Sequence, residues 1–211
     1  MRIVSFGKSV GGGMHEENED VILVDDKVRL FAVADGVTTP SGGKKAAEKA
    51  TRYLKLFFKK DLKGLVEKAN EKILEEMNED PVGYTTLTVA HIKNNVLQTA
   101  NIGDSSVFLI RDDKISLITA SDRLAGTHAL VQVIEQKYIK VDFHEEKLNK
   151  GSYIILATDG ITDVLSKEEI FSAVKSLKEP EKIVDFLIEK AVERPKVYED
   201  DKTVIVICMS D

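Results

Sequence analysis

The sequence predicts an α+β fold: an antiparallel β-sandwich flanked by helix pairs on both faces, an αββα four-layer order. Three observations predict it. Short apolar or alternating runs bounded by turn residues recur along the chain, two pairs of helix-period segments lie one early and one late, and four consecutive strand patterns in the middle have no helix between them. Parallel strands need crossovers of a dozen or more residues, so that last feature disfavours a doubly wound sheet. The 211 residues hold no internal repeat, low-complexity tract or Pro/Gly-rich linker, and they read as a single domain, 1–211.

The first strands are read at Ile3 to Phe6, Val21 to Val24 and Val28 to Ala34, with Asp25-Asp26-Lys27 as a turn. Pro40 to Gly43 opens a helix carrying Ala47, Ala50, Leu54 and Phe58 at spacings of three and four. A second helix, Leu62 to Met77, presents Leu65, Ala69, Ile73 and Met77 on one face. The period then changes to two. Thr85 to Ile92, Val96 to Ile102, Val107 to Arg111 and Ile115 to Thr119 read as an antiparallel meander with turns at Lys93-Asn94-Asn95 and Asp112-Asp113-Lys114. Ser121 to Asn149 gives no clear pattern. Beyond it lie a strand at Tyr153 to Ala157, helices near Lys167 to Lys175 and Pro180 to Arg194, and a last strand at Thr203 to Cys208. Ser166 and Glu169 have the spacing of a capping box for the first of these late helices.

Hydrophobic residues make up 43% and charged residues 31%, enough apolar material for a full core. The formal net charge is -6 with Lys and Arg scattered, which argues against nucleic acid as a partner, since displacing counterions from phosphates needs a dense basic surface. Cys208 is the single cysteine, so an intrachain disulfide and a thiolate metal site are excluded, and its apolar neighbours place it as a small core side chain. No run approaches the roughly 20 apolar residues of a membrane helix, so no membrane partner is expected and the cytoplasm is the predicted home.

The chemistry lies in acidic residues that recur where strands end. Glu19-Asp20 precedes a strand, Asp35-Gly36 follows one, Asp104 sits in Gly103-Asp104-Ser105, Asp159-Gly160 follows another strand, and Asp200-Asp201 precedes the last. Any one of these also fits a turn or a solvated loop. Together they can converge on one rim of a sandwich, where several carboxylates are stable only around hard divalent cations such as Mg²⁺ or Mn²⁺. Glycine after Asp35 and after Asp159 lets a metal or phosphate approach the backbone.

In chain order, Asn18-Glu19-Asp20, Ala34-Asp35-Gly36, Thr85-Thr86-Leu87, Asn101-Ile102-Gly103-Asp104-Ser105, Ala157-Thr158-Asp159-Gly160-Ile161-Thr162-Asp163 and Asp200-Asp201-Lys202-Thr203-Val204 resemble the blocks of the metal-dependent protein phosphatase family, the phosphatase 2C-like group. The paired aspartates before the last strand are most similar to its bacterial stress-response and sporulation branch. The resemblance implies a protein serine/threonine phosphatase that hydrolyses phosphoserine or phosphothreonine of a phosphorylated protein partner through water activated by two metals, with no protein nucleophile. By position it implies that Asp35 bridges two Mg²⁺ or Mn²⁺ ions, and that Asp159 and Asp200 complete the first. Glu19 and Asp20 would hold the second, helped by the carbonyl of Gly36. Asp104 would serve a third, weaker ion, and Asp163 and Asp201 would be supporting residues. An enzyme with an aspartyl nucleophile is disfavoured, because no Asp-x-Asp motif follows the first strand.

Three departures from the family pattern stand out. His15 lies where the family usually has an arginine that grips the substrate phosphate; it is read either as a pH-dependent phosphate contact in the catalytic site or as an exposed loop residue. This substitution motivates the alternative of a catalytically weak or inactive member that binds phosphoproteins as a regulator. Val37 lies where some members have a histidine acid. The segment from Asp122 to Tyr153, with His128 and His144 read as surface or structural residues, is short where many relatives carry a longer flap.

Overall fold

The computed structural model describes all residues except 14–15, 38–41, 60, 63, 78–81, 124–129, 195–198 and 211. Twelve strands and five helices run in the order β1 (Arg2–Val10), β2 (Val21–Asp25), β3 (Leu30–Ala34), β4 (Gly36–Val37), α1 (Gly43–Phe57), α2 (Leu65–Glu76), β5 (Tyr84–Thr85), β6 (Leu87–Lys93), β7 (Val96–Ile102), β8 (Ser106–Arg111), β9 (Lys114–Leu117), β10 (Asp142–Lys147), β11 (Tyr153–Ala157), α3 (Asp159–Thr162), α4 (Lys167–Leu177), α5 (Pro180–Val192) and β12 (Lys202–Ser210) among these residues. One sheet has the order β1-β12-β11-β8-β9, the other β10-β7-β6-β3-β2, and β4 with β5 makes a small ribbon.

Alternation along each central strand builds three apolar layers. In β12, Ile205, Ile207 and Met209 face the other sheet, while Val204 and Val206 face α4 and α5. In β3, Phe31 and Val33 point between the sheets, and Leu30, Ala32 and Ala34 point toward α1 and α2. Both faces of these strands are therefore buried, which explains why their sequences are unbroken apolar runs rather than alternating ones. The αββα order expected from the sequence is what these layers form, and the capping box of α4 is present, with the Glu169 amide donating to Ser166 Oγ and the Ser166 amide to Glu169 Oε2. Among the described residues, no helix is long and apolar enough to cross a membrane. Cys208 lies in the last strand but is only half-buried.

The meander expected between Thr85 and Thr119 is two hairpins in different sheets. β6 pairs with β7 in one sheet and β8 with β9 in the other, and the chain changes sheet at Gly103-Asp104-Ser105. Period-two patterning is blind to this, since a strand reads the same in either sheet. Gly103 makes the crossing: its φ is +104°, and a Cβ there would stand 2.6 Å from Thr86 Cβ. The patternless segment also contains a strand. β10 pairs along the outer edge of β7, and its Asp142-Phe143-His144-Glu145-Glu146-Lys147 sequence lacks apolar alternation because it contributes little to the core. His144 has the surface role expected of it, paired with Asp142 on this strand.

Gly103→Ala combines a left-handed backbone with a steric collision, and it should cost roughly 2–4 kcal/mol. Urea unfolding of the variant beside the parent measures the loss; equal midpoints would show that the sheet crossing does not depend on glycine.

Candidate metal centre at the sandwich rim

Strand register gathers the acidic residues. β2 and β3 are antiparallel with Val21 opposite Ala34, so one step further the backbone brings Asp20 opposite Asp35. In the other sheet Ala157 of β11 lies opposite Ser106 of β8, and two steps on are Asp159 and Asp104. Asp200 and Asp201 enter the same end of that sheet just before β12. The two sheets are joined there: Thr158 Oγ1 donates to Asp20 Oδ2 at 3.0 Å, and the Thr203 amide donates to Thr158 Oγ1 at 3.2 Å.

The backbone around each carboxylate is fixed. The Asp35 amide donates to Thr86 Oγ1, while the Thr86 amide and Thr85 Oγ1 both donate to the Asp35 carbonyl, each at 2.8 Å. This gives a physical role to the Thr85-Thr86 pair. Asp201 accepts from the Gly12 and Glu19 amides at 2.9 and 2.7 Å and so ties the Asn18-Glu19-Asp20 segment to the start of β12. At the N-terminus of α1 the Lys44 amide donates to Glu19 Oε1 at 3.4 Å, favourable for an acid at the positive end of a helix. Gly36 is confined by this packing, since a Cβ would meet the Gly43 carbonyl carbon at 2.5 Å and Glu19 Cβ at 2.9 Å.

Burial and like charge dominate the electrostatics. Burial, with Asp20, Asp159, Asp200 and Asp104 around it, raises the Asp35 carboxyl well above its ordinary range. Burial raises Asp20 to about 8, reinforced by Asp201 and Asp159 and opposed by hydrogen bonds from Thr203 and Thr158. Asp159 is pushed up to about 7 by burial, Asp200 and Asp104, against the pull of Arg123. Burial and like charge make added positive charge favourable to such a set. Its donors are all oxygen, and Asp159 Oδ1 is buried with no hydrogen-bond partner. The donor chemistry therefore fits a hard divalent cation. Among the described residues, no three His, Cys, Asp or Glu side chains are arranged to hold one ion.

Two residues absent from the sequence reading belong to this region. Arg123 donates from Nε to Asp104, from one terminal nitrogen to Asp159 and from the other to Asp163, the last at 3.0 and 3.2 Å. Glu135 is 5% exposed and accepts from the Thr85 amide at 3.1 Å through Oε2, while Oε1 has no partner. Both lie in the segment without periodicity, where only the Asp122-Arg123 dipeptide and an isolated glutamate were visible. His15 and His128 fall outside the described residues.

An αββα sandwich with acidic residues gathered from both sheets at one rim agrees with the phosphatase 2C-like resemblance of the sequence. The family model described as Stage II sporulation protein E (SpoIIE) matches residues 25–210, and the chain belongs to this family. Over 173 residues it is 31% identical to the probable protein phosphatase 2C BIPP2C1 of Oryza sativa subsp. japonica, covering 77% of this chain and 30% of that protein. It is 24% identical over 229 residues to the serine/threonine phosphatase stp of Listeria innocua, covering 92% of this chain and 89% of the relative. The fold is shared with the catalytic domain of the serine threonine protein phosphatase PstP in complex with 2 manganese ions, at a TM-score of 0.86 and 24% identity over 99% of both chains. The chain thus spans less than a third of the rice protein's length.

Glu135 connects this rim to pH. Burial pushes its carboxyl up to about 8, the Thr85 amide only partly offsetting the rise from an ordinary value of 4.5. The folded protein therefore keeps a proton that the unfolded chain has released, so the stability this group contributes is full below about 4.5 and is lost as pH rises toward about 8. Relative to Glu135→Gln, the parent should lose about 1 kcal/mol per pH unit across that window. Urea titrations over the pH range check this. Parallel stability profiles for the two proteins would show that Glu135 is not the group responsible.

Proposed function

We propose that the chain is a Mg²⁺- or Mn²⁺-dependent protein phosphatase acting on phosphoserine or phosphothreonine of a partner protein. The observation that carries this reading is the convergence of Glu19, Asp20, Asp35, Asp104, Asp159 and Asp200 from both sheets onto one rim, with Asp35 facing the acids of both sides. Family membership and the resemblance to a phosphatase in complex with manganese support it. Two divalent cations bound there would lower the pKa of a water and neutralise charge on the phosphoryl oxygens.

Asp35 would serve both cations, a reading supported by Asp20 opposite it on one side and by Asp159 and Asp200 acting on it from the other. Asp159 and Asp200 would complete one ligand set, and Glu19, Asp20 and the Gly36 carbonyl the other, with Asp104 farther out toward Arg123. Thr85 and Thr86 hold Asp35 by its backbone, and Asp201 holds the Glu19 segment, so the donors are positioned by groups that do not themselves react. Asp163 is held with Asp104 and Asp159 by the same arginine. His15 would donate to the substrate phosphate when protonated. Family membership and the likeness to relatives named as phosphatases do not favour the reading as an inactive member.

Hydrolysis of a chromogenic phosphate ester should require Mn²⁺ or Mg²⁺ and stop with chelator. Asp35→Asn should lower it by roughly 10²–10³-fold or more while leaving the circular dichroism spectrum unchanged. Calorimetry of Mn²⁺ binding to this variant decides whether Asp35 is the bridge; undiminished binding of two ions would show that it is not.

The Michaelis constant of the parent should rise as pH passes through the histidine range near ~6.5, and His15→Arg should lower and flatten it because arginine stays charged. Initial rates across a pH series measure the difference. Identical profiles for both proteins would leave the phosphate to the metals alone.

A further inference from the structure

Among the cations that the chain itself brings to the acidic rim, Arg123 is the one whose side chain meets three carboxylates. We propose that Arg123 is a built-in counter-ion, its guanidinium occupying the outer position between Asp104, Asp159 and Asp163 that a further divalent ion would otherwise take. The inference rests on the proposed metal centre and concerns how many ions it accepts.

Three carboxylates from different parts of the chain meet this side chain. Asp104 comes from the crossing between the sheets, Asp159 from the first residue of α3 and Asp163 from its C-cap. The four-residue spacing of Asp159 and Asp163 puts both on one face of that single turn, matched to the two terminal nitrogens of one guanidinium. The side chain of Arg123 is 19% exposed, and those of Asp104 and Asp159 are 5% and 15% exposed, so the charges are shielded from bulk salt. Burial opposes the charge on Arg123, but the three aspartates outweigh it and hold the guanidinium protonated.

The backbone that carries Arg123 is clamped to the turn that carries Asp104. The Asp122 amide donates to the Gly103 carbonyl, and the Gly103 amide donates back to Asp122 Oδ2, both at 3.0 Å. Asn101 Nδ2 donates to the carbonyls of Gly103 and Ala120, and Gln132 Nε2 to Asp122 Oδ2. Arginine and aspartate are therefore delivered to the same place by one hydrogen-bonded unit. The division of Asp159 is informative: Oδ2 is taken by Arg123, and Oδ1 is left buried and unpartnered on the same carboxylate. One oxygen belongs to the arginine, and the other remains for a cation of the inner site. A guanidinium does not release its proton near neutral pH, so only another cation or a substitution can displace it.

Mn²⁺ uptake by the full chain, counted by native mass spectrometry and titrated by calorimetry, tests the proposal. The parent should bind two ions. Arg123→Gln should bind a third, roughly tenfold or more tighter than any third ion taken up by the parent, because the repelling positive charge is gone. Adding Asp104→Asn to Arg123→Gln should abolish the third ion and leave two. Thermal melting supplies a second readout that keeps the test valid if the variant folds poorly without metal: Arg123→Gln should melt below the parent in chelator and recover in saturating Mn²⁺. A parent that already binds three ions, or an Arg123→Gln variant that stays at two with unchanged affinities, overturns the role of Arg123. A parent that binds no Mn²⁺ overturns the metal centre itself.

Discussion

Mutual repulsion among buried carboxylates is the constraint on which the rim depends. Asp20, Asp35 and Asp159 are raised above their ordinary pKa range by burial and by one another, and a folded chain that confines them must supply positive charge or keep them protonated. The stability of this part of the molecule is therefore tied to cations in a way that the stability of the apolar layers is not. Divalent ions bound there would relieve that cost, and under the proposed function they would also neutralise charge on a phosphoryl group.

The apolar layers make that cost bearable by fixing geometry. Phe31, Val33, Ile154, Leu156, Ile205 and Ile207 lock the two sheets face to face, so that strand ends, rather than flexible loops, carry Asp35 and Asp159. Around them, small polar groups restrict the backbone: Thr86 at Asp35, Thr158 between the sheets, and Asp201 at Glu19. Any change that lets the sheets slide would alter several donor positions together, which makes packing far from the rim part of its chemistry.

The segment between the sheets' outer strands has a different function from core formation. Its Arg123 faces the acids, its Glu135 holds the Thr85 amide next to Asp35, and its β10 extends the edge of β7. A short segment thus reaches the centre from two directions, through charge at one end and through a buried carboxyl at the other. This arrangement couples the electrostatics of the rim to residues that contribute no ligand.

The sequence by itself determined the apolar strand runs, the two helix pairs, the αββα order and the acidic blocks whose order shows the family. These are legible because periodicity and turn chemistry are local, and because the acidic blocks carry their meaning through their order along the chain rather than through any one of them. Tertiary structure alone decided that β7 and β8 part into different sheets at Gly103, since the strand pattern is identical in both and only the positive φ and the contact with Thr86 mark the crossing. It alone decided β10, whose exposed edge needs no apolar alternation, and it alone brought Arg123 to Asp104 and Asp159, 19 and 36 residues away. A charge pair separated by that much chain leaves no periodic trace, because its energy depends on distance in space and not on spacing in sequence.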